Sequence, residues 1–290
     1  MIVSASYRTD IPAFYGDWFM ARLKAGAVHV RNPYGGAEAL VSLQRRDVDG
    51  FVFWTRNAGP FINALAEIRS LGFPFAIQFT ITGYPHALEN RVVNAEGAVE
   101  QVRSIAEQFG PRAVVWRYDP ILDTTLTQPA WHRENFARLA GALEGAVNEV
   151  VVSWATIYRK TKRNLGAAAN KHGFEWRDPV PKDKRALIAD LAAIAAQYGM
   201  QLTLCAQPEL VFSGIEPARC IDAARLSDVA GRAIPAKTKG NRPGCACAQS
   251  RDIGAYDTCP HGCVYCYAVS DSGRARARFR AHDPKACGLR

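Results

Sequence analysis

Six short apolar runs, separated by helical stretches, constrain the fold of this 290-residue chain more than any other feature. The runs lack the alternation of polar and apolar residues that a half-exposed strand shows, so they are typical of strands buried on both faces. They are IVSAS (2–6), FVFWT (51–55), FAIQFTIT (75–82), AVVWRY (113–118), EVVVSWA (149–155) and QLTLCA (201–206).

Amphipathic segments between these runs predict the helices. Residues 96–110 and 183–199 carry apolar side chains three and four positions apart, and each segment ends at a glycine that can cap a helix. This α/β order predicts a partial (βα)6 parallel barrel of the TIM type, with a doubly wound open sheet as the second alternative. Neither GxGxxG after a strand nor GxxxxGK[ST] occurs, which disfavours the nucleotide-binding versions of the open sheet.

The alternation of strand and helix stops near residue 230, where Gly, Pro, Lys and Cys become frequent. We therefore predict a barrel domain over 1–230, with a hairpin inserted around 28–44. A cysteine-rich, basic appendage over 231–290 is expected to close the mouth of the barrel.

Apolar runs all fall short of the roughly 20 residues of a membrane span, and the first residues lack a signal-peptide pattern. The expected location is therefore cytoplasmic, without a membrane partner.

Eight cysteines in a reducing compartment are expected to bind metal rather than to form disulfides. Three of them lie in CPHGCVYCYA, with the spacing Cys259-x3-Cys263-x2-Cys266. A gap of three residues is uncommon in zinc knuckles, which favours an iron–sulfur cluster. Three thiolates can hold three irons of a [4Fe–4S] cluster and leave the fourth iron open to a small ligand.

The other thiols leave two alternatives open. A zinc ion can replace the iron–sulfur cluster if four of the five cysteines between residues 245 and 266 surround it. The cysteines at the end of the sixth strand and beyond it can form a second metal site. Alternatively, they are small residues buried in the core. The candidates for this second site are Cys205, Cys220, Cys245 and Cys247.

The CxxxCxxC spacing, with Tyr265 just before the last cysteine, resembles the signature of radical S-adenosylmethionine enzymes. The whole string is most similar to the spore photoproduct lyase branch. The resemblance implies a [4Fe–4S] cluster on the three cysteines, reductive cleavage of S-adenosylmethionine to a 5′-deoxyadenosyl radical, and an electron donor such as a flavodoxin or ferredoxin. In those enzymes the cysteine loop follows the first barrel strand, whereas here it lies near the C-terminus.

Several segments spread along the chain resemble one bacterial family, known as domain of unknown function 1848. They are SASYRTDIPAFY, RNP, WRYDPI and the terminal DIGAYDTCPHGCVYCYA. The resemblance implies a barrel whose cysteine loop reaches the mouth from the C-terminal end of the chain. It implies no particular reaction.

Polar side chains follow the predicted strands, at the end where parallel barrels hold their active sites. Each of them can instead bond only to its own loop, but together they predict a polar cavity for a small-molecule or nucleotide substrate. The candidate catalytic residues, without individual roles, are Arg8, Asp10, Arg56, Arg117 and Asp119. The candidate cofactor-binding residues are Thr55, Thr80, Thr82, Ser153 and Tyr265.

Positive charge is concentrated in the C-terminal part of the chain. The net charge is +9, and residues 232–290 contain eleven Lys and Arg against four Asp. Such a surplus is typical either of a solvated surface or of a phosphate-bearing partner such as nucleic acid. Two functions therefore remain open: a radical S-adenosylmethionine-type enzyme, and a non-catalytic zinc or iron–sulfur protein that binds nucleic acid or senses redox state.

Overall fold

Strands and helices alternate through the computed structural model, which describes residues 1–32 and 35–289. The strands are β1 (Ile2–Ala5), β2 (Ala27–Val30), β3 (Ala39–Ser42), β4 (Gly50–Thr55), β5 (Phe75–Thr80), β6 (Val114–Ile121), β7 (Asp123–Thr124), β8 (Glu149–Trp154), β9 (Trp176–Arg177), β10 (Gln201–Leu204), β11 (Glu216–Pro217) and β12 (Ser250–Asp252). The helices are α1 (Ile11–Phe14), α2 (Gly16–Ala25), α3 (Ile62–Ser70), α4 (Ala95–Phe109), α5 (Pro129–Leu143), α6 (Arg159–His172), α7 (Pro181–Gln197), α8 (Ala223–Ala230) and α9 (Ser272–Arg280).

One parallel sheet of eight strands, in the order β11-β10-β8-β6-β5-β4-β1-β12, forms the centre of the molecule. All six predicted strands belong to it, which confirms an α/β fold with a parallel sheet. The sheet has two strands more than predicted, because the short polar segments β11 and β12 extend its edges. Within the described part of the chain no ladder joins these two edge strands, so the predicted barrel is not confirmed.

Alternate side chains of the strands point to two different layers. On one face, residues such as Phe53 and Trp116 pack with the apolar sides of α2, α3, α4, α5 and α7. On the other face, residues such as Val52 and Val151 are covered by the segment 218–248, which includes α8. Both faces of the sheet are therefore buried, as the continuous apolar strands predict.

The C-terminal residues return to elements from the start of the chain. The Phe279 ring of α9 makes edge contacts with Phe14 and Tyr15, at centroid distances of 5.4 and 5.5 Å. The backbone N–H of His29 in β2 donates to the carbonyl of Cys287 at 2.8 Å. β2 and β3 form an antiparallel pair where a hairpin was predicted. In the part of the chain that the structure describes, no helix is long and apolar enough to cross a membrane.

The edge strand β12 is fixed to β1 by its last residue, Asp252. Ser4 and Asp252 face each other in the parallel ladder. The Asp252 carboxylate accepts hydrogen bonds from the hydroxyls of Ser4 and Ser6 at 2.9 and 2.8 Å, and from Nε of Arg8 at 2.9 Å. Charge-assisted bonds of this kind are stronger than neutral ones. They place the loop that follows β12 at the carboxyl edge of the sheet.

A fully buried histidine joins α5 to β6. His132 Nε2 donates to the Leu122 carbonyl at 2.8 Å, so Nδ1 is the acceptor for the Tyr118 hydroxyl at 2.8 Å. The Tyr118 oxygen in turn accepts from Asn135 at 3.2 Å. Burial lowers the pKa of His132 to about 4, because the charged imidazolium is disfavoured away from water.

Acidification from pH 6.5 towards pH 4 is therefore expected to destabilise the fold through His132. Its pKa is lower in the folded than in the unfolded chain, so this stabilisation is complete above about pH 6.5 and is lost as the pH falls. The loss reaches at most about 3 kcal/mol. The free energy of unfolding in urea is measured across this pH range for the wild type and for His132→Gln. All other groups titrate in both proteins, so the difference between the two pH dependences gives the contribution of His132. The same pH dependence in both proteins would contradict the assignment.

Candidate functional site

The cysteine motif lies in a closed loop after β12, which we call the cysteine loop (residues 257–270). At its base the backbone N–H of Asp257 donates to the Ala268 carbonyl at 2.9 Å. The Asp257 carboxylate accepts from the N–H and the hydroxyl of Ser270 at 2.5 and 2.7 Å. These bonds hold the two ends of the loop together. The cysteines in the loop are Cys259, Cys263 and Cys266.

The three thiols of the cysteine loop lie close enough to influence one another electrostatically. Burial raises the pKa of Cys263 to about 12 and also raises the pKa values of Cys259 and Cys266. The backbone N–H of Ala268 points at the Cys266 sulfur at 3.3 Å, and the N–H of His261 points at Cys259. Such N–H groups stabilise a thiolate bound to metal, although the thiols must first lose their protons.

A buried network of charged and hydroxyl groups fixes the cysteine loop to the sheet. Arg56, which follows β4, donates to the Glu89 carboxylate at 2.7 Å and to the Tyr265 hydroxyl at 2.5 Å. Glu89 also accepts from the hydroxyls of Thr82, at 2.6 Å, and of Tyr265. The backbone of Glu89 pairs with that of Cys263 in an isolated antiparallel bridge. The structure thus brings three predicted residues, Arg56, Thr82 and Tyr265, into contact through one that the sequence analysis missed.

The histidine of the cysteine loop has both ring nitrogens occupied by protein groups. His261 Nε2 is 2.7 Å from the Asp10 carboxylate, and Nδ1 is 3.1 Å from the Arg91 carbonyl. The same Asp10 oxygen accepts the backbone N–H of Arg56 at 2.8 Å. Asp10 and His261 therefore attach the loop to the ends of β1 and β4, and neither ring nitrogen faces the cysteines as a free ligand.

The other four candidate cysteines form a separate group on the sheet face covered by 218–248. The sulfurs of Cys205 and Cys220 lie 3.5 Å apart. The thiol of Cys247 makes hydrogen bonds with those of Cys220 and Cys245, so the four side chains form a continuous row. Cys205 follows β10 and the others lie on the covering segment.

The hydrogen bonds in this row separate the acidities of its members. The bond with Cys247 lowers the pKa of Cys245 to about 6. The pKa of Cys220 is raised to about 11, because its bond with Cys205 lowers it by less than the bond with Cys247 and burial raise it. The bond with Cys220 and burial raise the pKa of Cys205 as well. Cys245 is therefore the member that ionises first.

Arg117 and Asp119, two other predicted charged residues, belong to this second group and not to the cysteine loop. Arg117 on β6 donates to the Cys220 sulfur at 3.0 Å and to the Asp119 carboxylate at 2.5 Å. The other Asp119 oxygen accepts from the Ser153 hydroxyl. The Arg117 guanidinium also lies 5.0 Å from the centre of the Trp54 ring, within the range of a cation–π contact.

Three predicted residues have other positions. Arg8 is paired with Asp252, which the sequence analysis also missed, and its Nη2 lies 2.8 Å from the carboxylate. Thr55 accepts the backbone N–H of Asn57 at 2.9 Å and so stabilises its own turn. Thr80 lines a cavity of about 330 Å³, which shares Glu89 and Thr82 with the network that holds the cysteine loop. Other residues around this cavity are Tyr84, His86 and Arg138.

Neither cysteine group is already arranged around a common centre. Within residues 1–32 and 35–289, no set of three or more Cys, His, Asp or Glu side chains has the geometry to hold a metal ion. The eight cysteines are all free thiols. Metal binding at either group therefore requires side-chain rotation as well as loss of protons.

Comparison with known proteins places the chain in a family without describing its reaction. No sequence among the curated proteins matches it. One solved structure that it is similar to is the dihydropyrimidinase from Brevibacillus agri, with 12% identity and a TM-score of 0.31 over 75% of this chain. The chain spans only 39% of the length of that protein. The family model described as "Domain of unknown function (DUF1848)" matches residues 2–268. The chain belongs to this family, domain of unknown function 1848.

Proposed function

We propose that the chain is an iron–sulfur enzyme that resembles radical S-adenosylmethionine enzymes and cleaves S-adenosylmethionine to act on a small-molecule or nucleotide substrate. The observation that carries this proposal is the position of the cysteine loop. Three neighbouring thiols with the spacing x3 and x2 lie at the carboxyl edge of a parallel sheet, where polar residues that follow β4 and β5 hold the loop through Tyr265. Ligand sites in parallel α/β sheets lie at this edge.

The residues around the cysteine loop fit a buried, negatively charged iron–sulfur cluster. Cys259, Cys263 and Cys266 would hold it, and the backbone N–H groups that already point at two of the sulfurs would stabilise the thiolates. Arg56 lies close enough to Cys263 to influence it electrostatically and would offset part of the negative charge. When bound, the reduced cluster would supply the electron that cleaves S-adenosylmethionine.

The cavity that contains Thr80 and Glu89 suits the binding of a small polar cofactor. Its volume of about 330 Å³ lies at the lower end of the range typical of ligand pockets. The Thr80 hydroxyl can donate to carboxylate or ribose oxygens, and so can the N–H groups of Arg138 that its pairing with Glu96 leaves open. The Thr82 hydroxyl already donates to Glu89. Glu89 lines the cavity and is held by Arg56 and Tyr265, so it links the cavity to the cysteine loop.

The proposal includes a barrel-like curvature of the sheet. From β1 to β11, neighbouring strands follow the order of the chain, and the last strand, β12, lies on the other side of β1. This is the order of a parallel barrel opened at one seam, whereas a doubly wound sheet reverses its order at a switch point. A curved sheet directs the loops at its carboxyl edge towards one another.

Anaerobic purification is expected to yield brown protein with about four irons per chain, the content of one [4Fe–4S] cluster. Simultaneous replacement of Cys259, Cys263 and Cys266 by Ala should remove this iron, because it removes every protein ligand of the cluster. Iron analysis and visible absorption measure the change. Cys287→Ala is the matched control, since Cys287 is exposed and lies outside both cysteine groups. Full iron content in the triple variant would disprove the ligand assignment.

The reduced, iron-loaded protein is expected to release 5′-deoxyadenosine from S-adenosylmethionine, with dithionite or a reduced flavodoxin or ferredoxin as electron donor. Chromatography of the products measures it, and Cys263→Ala should abolish both the product and cofactor binding, whereas Cys287→Ala should retain them. An iron-loaded wild type that neither binds nor cleaves S-adenosylmethionine would rule out the enzyme. The metal would then serve a redox-sensing or nucleic-acid-binding protein, which affinity for DNA and RNA across salt concentrations tests.

A further inference from the structure

The row of Cys205, Cys220, Cys247 and Cys245 has features that hydrophobic packing does not explain. Cys220 and Cys247 are 3% and 2% exposed, and a charged guanidinium, that of Arg117, points directly at the Cys220 sulfur. A second guanidinium, that of Arg242, lies 3.7 Å from the Cys205 sulfur. Arg117 is also paired with Asp119, and Arg242 is exposed, but both guanidinium groups are placed to stabilise negative charge on the sulfurs.

Backbone N–H groups also point at this row. The N–H of Ile221 lies 3.3 Å from the Cys247 sulfur, and those of Asn241 and Cys247 donate to Cys245. Every cysteine of the row thus has a donor from the protein, either a guanidinium or a backbone N–H, in addition to its neighbouring sulfur. This is the environment of metal-bound thiolates, whose charge is spread over such hydrogen bonds.

We propose that Cys205, Cys220, Cys245 and Cys247 form a second metal site that binds one Zn²⁺ ion in tetrahedral geometry, independently of the cysteine loop. With Zn–S bonds of about 2.3 Å, the sulfurs of a tetrahedral site stand about 3.8 Å apart. The distance of 3.5 Å between Cys205 and Cys220 is close to this value. In a [4Fe–4S] cluster each ligand sulfur binds a different iron, so the sulfurs lie farther apart.

The charges around the row offset most of the charge of such a site. Four thiolates and one Zn²⁺ carry a net charge of −2, and the Asp119 carboxylate adds −1. Arg117, which is paired with Asp119, and Arg242 supply +2, which leaves −1. Arg117 is also held in place by Gln78, whose oxygen lies 3.1 Å from Nη1.

Through Cys205, the zinc ion would connect β10 to the segment 218–248 that covers this face of the sheet. It would hold the start of that segment by Cys220 and its end by Cys245 and Cys247.

The site therefore has a structural role that can be measured without any enzyme assay. Residues 235–244, which precede and include the turn before Cys245, are exposed and contain trypsin sites at Lys237 and Lys239. Zinc bound to Cys245 and Cys247 stabilises this segment by mass action, so tryptic cleavage there should slow at least about tenfold. Cleavage elsewhere in the chain serves as the internal control.

The decisive protein is the variant in which Cys259, Cys263 and Cys266 are all replaced by Ala, because it lacks the cysteine loop's ligands. After exposure to Zn²⁺ alone and removal of loose metal, it is expected to retain one zinc per chain. With Co²⁺ alone it should show the visible bands of a tetrahedral thiolate complex. The further substitution Cys220→Ser should abolish both signals, and the further substitution Cys287→Ser should leave both unchanged.

Three results would overturn the proposal. They are the absence of bound zinc in the triple variant, an iron–sulfur absorption in that variant, and a disulfide between Cys205 and Cys220 in protein kept anaerobic. If the triple variant does not fold, zinc and iron are counted separately in the wild type. One zinc per chain that resists dialysis and protects residues 235–244 supports the site, and its absence rejects it. These outcomes are independent of whether the iron-loaded protein cleaves S-adenosylmethionine.

Discussion

The parallel pairing of β12 with β1 is the interaction on which the arrangement of the cysteine loop depends. β12 comes from the C-terminal part of the chain, and only its place beside β1 brings the following loop to Arg56 and Glu89. Asp252 makes this pairing specific, because its carboxylate binds Ser4, Ser6 and Arg8 and would be left buried and unpaired elsewhere. A loop that is late in the sequence thereby takes a position next to the first strand.

The fold thus contains two groups of thiols, and different polar residues at the ends of the strands contact each group. Arg56 and its partners hold the cysteine loop, whereas Arg117 and Asp119 belong to the row that contains Cys220. Each group of thiols therefore has its own charged residues from the ends of the strands.

The six apolar strands and the long helices α4 and α7 could be predicted because burial on both faces and helical periodicity leave strong patterns in the sequence. β11 and β12 could not, since strands of two and three residues without an apolar pattern are defined only by their backbone partners. Glu89 and Asp252 were missed for a similar reason. Each acts through side chains far away in sequence, and nothing in their own segments distinguishes them from solvated acids.

For the same reason, the sequence could not show whether the polar residues at the ends of the strands form one cavity. Parallel strands predict that their carboxyl ends share an edge, but not which neighbours each side chain selects along an eight-stranded sheet. Arg56 and Arg117 illustrate this: both are buried and both are paired with an acid, yet one faces Tyr265 and the other Cys220. In each case the guanidinium contacts the group that carries the candidate chemistry. A buried arginine with a sulfur or phenol in addition to its carboxylate partner is therefore the structural sign of both sites, and it appears only when the chain is folded.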